Sequence, residues 1–224
     1  MKNGRSKAPA PVIRRLSNYR YLLLGLKQRQ IKSISSTTLA EMLEYKPIQV
    51  RKDLQATGLV GKPRTGFKVD ELEEAIRRFL GWSLDCPAVL FGVGNLGSAL
   101  LNYPWREEYG LRFIAAFESE VARSNILINN IPIYHISYFP TFAREHSIEV
   151  GVISVPAEGA QAVAEMLVEN GVRGIWNFSH THLKAPPHAI IENAIFTQSL
   201  AILTRRLVET RTPNPVPDEE WEAE

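Results

Sequence analysis

The chain has 224 residues, which is enough for two modest domains that each bury a core, and its formal net charge is +2. Its single cysteine, Cys86, excludes an intramolecular disulfide and leaves a zinc finger or an iron–sulfur site without ligands, so we expect a cytoplasmic protein without a metal. Its longest apolar stretches, such as 88–91, are far too short to span a bilayer, which excludes a membrane protein.

The small net charge conceals a strong asymmetry along the chain. Residues 1–68 carry 15 Lys and Arg against 3 Asp and Glu, a net of +12, whereas the remaining residues carry 11 against 21, a net of −10. A basic domain gains binding free energy from a polyanion through counterion release, while an acidic body is repelled by the same phosphates. Because the basic residues alternate with apolar ones at helical spacing, they indicate a folded nucleic-acid-binding domain rather than a basic tail.

The N-terminal third of the sequence predicts an arm followed by three helices. Residues 1–11 are basic with Pro and Gly, which is typical of a flexible arm. Apolar residues recur at helical spacing from Val12, and Ser35-Ser36 supplies the N-cap of a short second helix. After a tight turn, Pro47 suits the first position of a third helix, where its missing amide costs nothing.

The third helix and the segment after it predict a DNA-binding motif. The segment 61–68 has the Gly, Pro and basic content of a projecting hairpin. Helix, short helix, turn, basic helix and basic hairpin, in that order, describe a winged helix-turn-helix, in which Ile48, Val50 and Leu54 are predicted to hold the recognition helix to the domain. The residues that we expect to contact bases and phosphates of double-stranded DNA are Gln49, Arg51, Lys52 and Gln55 on the recognition helix, Lys62, Arg64 and Lys68 on the hairpin, and Arg14 on the first helix.

The remainder of the chain predicts a sheet domain. A charged connector helix is predicted over 70–80, and beyond it apolar strands alternate with helices. Continuous apolar strands separated by helices indicate a parallel sheet covered on both faces, so the fold class is α/β with an α-rich N-terminal domain: a winged helix-turn-helix followed by a Rossmann-like doubly wound sheet. The predicted strands are 88–91, 113–117, 150–155 and 174–178, with helices at 98–101, 160–169 and 196–209. The predicted domains are a basic arm (1–11), a DNA-binding domain with its connector (12–81), a nucleotide-binding domain (82–211) and a disordered acidic tail (212–224).

One segment of the sheet domain matches the glycine loop that binds dinucleotide phosphates. It directly follows an apolar strand and opens a helix, which puts the loop amides and the positive helix end where a pyrophosphate would lie. The first glycine permits a tight turn, the second lets a phosphate approach the backbone, and the third lets the helix pack against its strand. The predicted cofactor-binding residues of this loop are Gly92, Val93, Gly94, Asn95, Leu96 and Gly97.

An acidic residue at the end of the second strand lies at a spacing from this loop that is typical of dinucleotide-binding folds. Glu118 lies 21 residues after Gly97, near the place where an acidic side chain binds the adenosine ribose hydroxyls. A carboxylate there repels a 2′-phosphate. The sequence therefore predicts NAD(H) rather than NADP(H) as the ligand.

Few residues of the chain are suited to catalysis. A dehydrogenase needs an acid or base near the nicotinamide and a pocket for its substrate. His180, His182 and Lys184 form the polar cluster late in the sheet, and surface or loop positions are expected for all three. The residues after the connector suffice for a nucleotide fold but not for a separate substrate domain. We therefore predict no catalytic residue, with a small NAD-dependent oxidoreductase carrying a basic appendage as the main alternative.

With both motifs in this order, the chain resembles the Rex family of redox-sensing transcriptional repressors from its first helix to nearly its last. The most specific stretches are Gln49-Val50-Arg51-Lys52-Asp53-Leu54, Gly61-Lys62, Ile76-Arg77-Arg78-Phe79-Leu80-Gly81, Phe91 to Leu100, Val155-Pro156-Ala157-Glu158 and Ile175-Trp176-Asn177-Phe178. The resemblance implies a homodimer with a domain-swapped C-terminal helix that packs near the partner's DNA-binding domain. It also implies that NADH, rather than NAD+, releases the repressor from operator DNA.

The resemblance also implies roles for single residues. Tyr103, Pro156 and Asn177 would join the cofactor site, and Arg15 with Tyr103 would form an inter-subunit network sensitive to the nicotinamide. The chain departs from the family pattern at several positions, which are Glu118 and Glu120 in place of two aspartates, Arg64 in place of a glycine, Phe67 in place of a tyrosine, and Glu192 or Ile195 where an aspartate would complete the network. A repressor that senses coenzyme A or another nucleotide remains a second alternative, because related folds use the same glycine loop.

Overall fold

The computed structural model of the protein describes residues 8–120 and 126–211. The acidic tail and the first seven residues of the predicted arm lie outside the described residues. The helices and strands, in chain order, are α1 (Ala10–Gln28), β1 (Ser33–Ile34), α2 (Ser36–Met42), α3 (Pro47–Gln55), β2 (Phe67–Lys68), α4 (Val69–Phe79), β3 (Cys86–Phe91), α5 (Asn95–Asn102), α6 (Trp105–Tyr109), β4 (Leu111–Glu118), β5 (Ile126–Ile128), β6 (Ile131–His135), α7 (Phe139–Glu145), β7 (Val150–Ile153), α8 (Ala157–Glu169), β8 (Gly174–Asn177), β9 (Ile190–Asn193) and α9 (Thr197–Arg211). The winged helix-turn-helix and the Rossmann-like sheet are both present, as predicted.

The described chain forms two compact units. One contains residues 8–88 and 101–114, and the other contains residues 89–100, 115–120 and 126–211. The first unit therefore extends beyond the predicted domain 12–81. Residues 101–114 belong to it because the Tyr109 ring packs edge-on against the Trp82 ring with their centroids 4.9 Å apart, and because Arg20 lies over both rings.

The helices of the first unit pack around one apolar core. Its fully buried members are Leu16, Tyr19, Leu23, Leu39, Ala40, Val50, Leu54, Val69, Leu72 and Ile76. The Ser35 hydroxyl accepts a hydrogen bond from the Thr38 amide at 2.9 Å, which confirms the predicted N-cap of α2. Pro47 begins α3, also as predicted.

Two details of these helices differ from the predictions. Helix α1 begins at Ala10, inside the predicted arm, because Pro9 is extended and its carbonyl accepts hydrogen bonds from the amides of Val12 and Ile13, which puts Pro11 in a first turn where no amide is needed. On α3, Val50 is buried as predicted, but Ile48 is 59% exposed, so the prediction that it holds the helix to the domain is wrong. At about 100° per residue, positions 48 and 50 point roughly 160° apart.

A hairpin completes the winged motif. Strand β1 pairs antiparallel with β2, and Lys62 and Gly66 exchange backbone hydrogen bonds of 2.7 and 2.8 Å. The turn between them has φ angles of 65° at Arg64 and 77° at Gly66. A Cβ at Gly66 would lie 2.4 Å from the Ile34 carbonyl oxygen, so glycine is required there both for its φ and for space.

The sheet has seven strands in the order β5-β6-β4-β3-β7-β8-β9. Strand β6 pairs parallel with β4, β8 pairs parallel with β7 and with β9, and β5 pairs antiparallel with β6 at one edge. Strand β3 is central, with later strands added on both sides of it, so the strand order reverses there. In doubly wound sheets such a reversal marks the crevice in which ligands bind.

Sequence patterns did not predict several of the short elements. The hairpin β5–β6 turns through Asn129 and Asn130, whose φ angles are 49° and 61°. Two consecutive left-handed residues are typical of a two-residue hairpin turn, but Asn-Asn is a weaker sequence indication than Asn-Gly. Helix α7 and strand β9 were also missed, since seven and four residues are too few to establish a period.

The described helices contain no segment long and apolar enough to cross a membrane. Within 8–120 and 126–211, no three His, Cys, Asp or Glu side chains are grouped closely enough to hold a metal ion. His180, His182 and Lys184 follow β8 as exposed residues, where a loop was expected.

Candidate dinucleotide site and nucleic-acid interface

The glycine loop lies at the carboxyl end of β3, at the point where the strand order reverses. The Gly92 amide donates to the Phe117 carbonyl at the end of β4 (2.9 Å), and the Ser154 amide donates to the Phe91 carbonyl (2.9 Å). The Ser154 hydroxyl also donates to the carbonyl of Gly92 at 2.8 Å. The loop is therefore held by both neighbouring strands. Sequence reasoning missed Ser154, although a hydroxyl residue directly after an apolar strand can indicate a side chain that holds a neighbouring loop.

The three glycines of the loop have different surroundings. A Cβ at Gly92, where φ is 90°, would lie 2.9 Å from Ser154 backbone atoms, and a Cβ at Gly97 would lie 2.0 Å from the Gly92 carbonyl oxygen. These two positions therefore need glycine for the turn and for helix packing. Apart from atoms of its two neighbours in the chain, no described heavy atom lies within 4 Å of the position that a Cβ would take at Gly94. Gly94 thus leaves an open face on the loop, as a phosphate group would require.

The carboxylate of Glu118 is joined to this loop. Its Oε2 accepts from the Val93 amide at 2.7 Å, and its Oε1 accepts from the amides of Ser119 (2.7 Å) and Glu120 (3.3 Å) and from the Ser119 hydroxyl (3.1 Å). Burial raises the pKa of this carboxyl, but the hydrogen bonds from Val93, Glu120 and Ser119 outweigh burial and hold the pKa below its usual value. Glu118 is therefore an anion with one acceptor site left on Oε2.

The other predicted cofactor residues occupy varied positions. Val93 is buried, whereas Asn95 and Leu96 are exposed in the first turn of α5. Pro156 precedes α8 and is exposed at the carboxyl end of β7. Asn177 is fully buried. Its amide donates to the Thr181 carbonyl and to Asn193 Oδ1, and its oxygen accepts from the amide and hydroxyl of Ser179, so this side chain positions the loop after β8.

Tyr103 lies in the first unit among aromatic side chains. Its ring centroid is 4.5 Å from that of Trp105 and 6.3 Å from that of Tyr109. Burial and a hydrogen bond with Tyr103 raise the pKa of Tyr109 to about 12. Tyr103 itself is about half exposed, and its role at a subunit boundary stays a prediction.

Arg15 has a partner on the recognition helix. Its Nε and Nη2 donate to the two carboxylate oxygens of Asp53 at 2.6 and 2.8 Å, and the Tyr19 hydroxyl donates to Asp53 Oδ2 at 2.7 Å. The hydrogen bond to Asp53 raises the pKa of Arg15. Burial is the main cause that raises the pKa of Tyr19, and its hydrogen bond to Asp53 raises this pKa further. Sequence reasoning treated Asp53 only as part of a motif, yet it joins α3 to α1 through two side chains.

The predicted DNA-contacting residues are mostly exposed. Arg51, Lys52 and Gln55 share one exposed face of α3, and Gln49 is half-buried beside them. The exposed residues of the hairpin are Lys62, Arg64 and Lys68, and Arg14 is exposed on α1. Lys68 forms an ion pair of 2.6 Å with Glu71, which partly compensates its charge.

Together, a phosphate-binding loop at the reversal point of a sheet and a winged helix-turn-helix define a nucleotide-binding protein with a DNA-binding domain. Family models match both parts of the chain. The model described as "Putative DNA-binding protein N-terminus" matches residues 7–55, and the model described as "CoA binding domain" matches residues 85–181.

Curated relatives extend the similarity to nearly the whole chain. The redox-sensing transcriptional repressor Rex of Treponema denticola is 37% identical over 201 residues, which cover 89% of this chain and 96% of that protein. The crystal structure of RSP, a Rex-family repressor, is 30% identical with a TM-score of 0.83 and covers 92% of this chain and 96% of its own. RSP has also been solved with β-NADH (TM-score 0.84) and with β-NAD+ and operator DNA (TM-score 0.83). This chain therefore belongs to the Rex family of redox-sensing transcriptional repressors, which confirms the resemblance.

Proposed function

We propose that this chain is a redox-sensing transcriptional repressor that binds operator DNA as a dimer and is released when NADH binds. The observation that carries the proposal is the glycine loop with an open face at Gly94 and an ionised Glu118 beside it, in the same chain as a basic winged helix-turn-helix. The structures of RSP with β-NADH and with β-NAD+ and operator DNA support the same assignment.

The residues of the loop fit a dinucleotide. The backbone of residues 92–97 and the N-terminus of α5 would hold the pyrophosphate, because the open face at Gly94 allows close approach. Glu118 Oε2 keeps an acceptor site for a ribose hydroxyl, and its negative charge would repel a 2′-phosphate, which favours NAD(H). When bound, the nicotinamide supplies the redox information, since the reduced ring is neutral and puckered and the oxidised ring is planar and cationic. A close apolar pocket would distinguish the two forms by the free energy of desolvation.

Removal of the Glu118 carboxylate should weaken this site specifically. A hydrogen bond to a charged group contributes about 1.5–3 kcal/mol, so Glu118→Ala is expected to bind NADH roughly ten- to a hundredfold more weakly while keeping its affinity for DNA. Calorimetric titration with NADH measures the first and fluorescence anisotropy the second. Glu169→Ala, which removes an exposed carboxylate at the end of α8, is the matched control. Unchanged NADH affinity in Glu118→Ala would remove this residue from the site.

The C-terminal helix supports a dimer. No side chain of α9 is buried in the described chain, and its apolar residues Leu200, Ile202, Leu203 and Leu207 are each 45–58% exposed. A helix with this much exposed apolar surface gains stability by packing against another chain. This favours the domain-swapped dimer that the family resemblance implies, in which Arg15 and Tyr103 would meet residues of the partner near Glu192 or Ile195.

A dimer also provides the two states that a switch needs. In the DNA-binding state the two recognition helices would enter successive major grooves, about 34 Å apart, and in the other state they would not. A near-complete switch requires NADH to bind the second state about 10⁴-fold more tightly than the first.

The central test is the effect of the NADH/NAD+ ratio on DNA binding. A duplex selected from random-sequence DNA by the full chain is titrated by fluorescence anisotropy at several ratios, and sedimentation gives the oligomeric state. We expect a dimer whose affinity falls as NADH rises. An affinity indifferent to the ratio, or a monomer without measurable dinucleotide binding, would refute the proposal.

A second candidate ligand is coenzyme A, because the matching family model bears that name. Calorimetric titrations with NADH, NADPH and coenzyme A separate these ligands. The proposed function predicts binding of NADH alone at micromolar concentration, and a substrate-dependent change of nicotinamide absorbance would favour an oxidoreductase instead.

A further inference from the structure

The exposed face of the recognition helix contains one large apolar side chain. Ile48 is 59% exposed in the first turn of α3. Arg51, Lys52 and Gln55 follow it at intervals of three, four and seven residues, and all three are exposed, so they lie on the same face of the helix. Ile48 is thus an apolar side chain at the leading end of a basic and polar face.

The fold of the domain does not account for Ile48. Val50 and Leu54 attach α3 to the core, and they are at most 1% exposed. Isoleucine is a weaker helix former than alanine, so helix stability does not favour it at an exposed position either. Other apolar side chains of the chain are also exposed, so it is the position of Ile48 at the leading end of the basic face that points to contact with another molecule.

We infer that Ile48 packs against the C5-methyl group of a thymine in the major groove of the operator, and that it is a specificity-determining residue; this rests on the proposed function as a DNA-binding repressor. The N-terminal residues of a recognition helix are the ones that reach base edges in helix-turn-helix proteins. Thymine is the one standard base that presents a methyl group in the major groove. Arg51 and Lys52, one turn further along, carry the charges that draw this face towards phosphates.

The chemistry of the side chain selects thymine over the other bases. Isoleucine forms no hydrogen bond, so at cytosine it would cover the N4 amino donor and leave that donor without a partner. At thymine it would remove a methyl group from water. Burial of one such group corresponds to roughly a fourfold change in affinity.

Replacement of thymine by deoxyuridine tests this contact, because it removes the C5-methyl group and nothing else. A duplex is first selected from random-sequence DNA with the full chain, and each thymine is then replaced in turn. We expect one thymine in each half-site whose replacement weakens wild-type binding roughly fourfold in fluorescence anisotropy. The same replacement should leave the affinity of Ile48→Ala unchanged, because the side chain that contacts the methyl group is then absent.

Two controls accompany this measurement. Ile31→Ala removes the same atoms from another exposed isoleucine, in the connection between α1 and β1, and should keep the wild-type response to deoxyuridine. Urea unfolding of Ile48→Ala should match that of the wild type, which shows that its DNA-binding domain is folded.

Equal losses for wild type and Ile48→Ala at every thymine would overturn the inference. So would a loss of dimer mass in Ile48→Ala, since Ile48 also borders a groove formed with Val12 and Ile13 of α1, and such a loss would assign it to a protein contact. A wild-type chain that selects no DNA sequence would overturn the proposed function itself, and this outcome is recognisable because the wild type fails before any variant is compared.

Discussion

Replacing Gly97 by alanine is expected to abolish NADH binding and to lower the free energy of unfolding of the dinucleotide-binding domain by about 3 kcal/mol. The added Cβ would lie 2.0 Å from the Gly92 carbonyl oxygen and 3.1 Å from the Ser154 hydroxyl. Because the Gly92 amide is bonded to the end of β4 and its carbonyl to Ser154, the loop cannot move away without loss of these hydrogen bonds. Calorimetric titration with NADH and urea unfolding measure the two effects.

Gly94→Ala provides the matched comparison. Apart from its two neighbours in the chain, its Cβ would meet no described heavy atom within 4 Å, so we expect a free energy of unfolding within about 0.5 kcal/mol of the wild type. The methyl group would nevertheless occupy the face that the pyrophosphate approaches, so NADH affinity should fall. Wild-type NADH affinity in Gly97→Ala would contradict the assigned packing, and wild-type affinity in Gly94→Ala would place the pyrophosphate elsewhere.

Replacing Arg20 by methionine should destabilise the DNA-binding domain by about 4 kcal/mol, since one partner of a buried ion pair is removed. The Arg20 side chain is 5% exposed and its Nε donates to Glu73 Oε1 at 2.7 Å, while Glu73 is 9% exposed. The guanidinium carbon also lies 5.3 and 5.5 Å from the ring centroids of Trp82 and Tyr109. Without Arg20, the Glu73 carboxylate would be buried without its cation. Urea unfolding measures the loss.

The double variant Arg20→Met with Glu73→Leu separates the loss of the ion pair itself from the cost of leaving the Glu73 carboxylate buried without a cation. It buries neither charge, so it should recover most of the stability that Arg20→Met loses. Lys27→Met is the control on the same helix: it breaks the pair of Lys27 with Asp70, whose side chains are 52% and 65% exposed, and should change stability by less than about 1 kcal/mol. An Arg20→Met variant as stable as Lys27→Met would contradict the structural importance of the buried pair.

Local patterns explain why many elements could be predicted. The N-cap at Ser35, the proline that begins α3 and the glycine loop each depend on a few neighbouring residues whose chemistry admits one conformation. The long amphipathic helices and the buried strands can also be predicted from the spacing of their apolar residues. Short elements contain too few residues to show such a spacing, which is why the hairpin β5–β6 and strand β9 were missed.

Predictions about single side chains were less complete than predictions about elements. The sequence predicts a core position for Ile48 because it is apolar and adjacent to core residues, yet helix phase turns it outwards. Asn177 stays a predicted cofactor residue, and the motif that predicts it does not indicate the four hydrogen bonds by which its side chain positions the loop after β8. In each case the direction of the side chain depends on the packing of the whole element.

The amino-acid sequence by itself determined the order of the two motifs, the polarity of charge between them and the local turns and caps, because each arises from neighbouring residues. Only the tertiary structure decided which charges meet: Arg15 with Asp53, Arg20 with Glu73, and Glu118 with the amide of Val93, pairs separated by 38, 53 and 25 residues. Such pairs form where packing brings distant segments within about 3 Å and excludes water from them, and a linear pattern of residues contains neither distance nor burial.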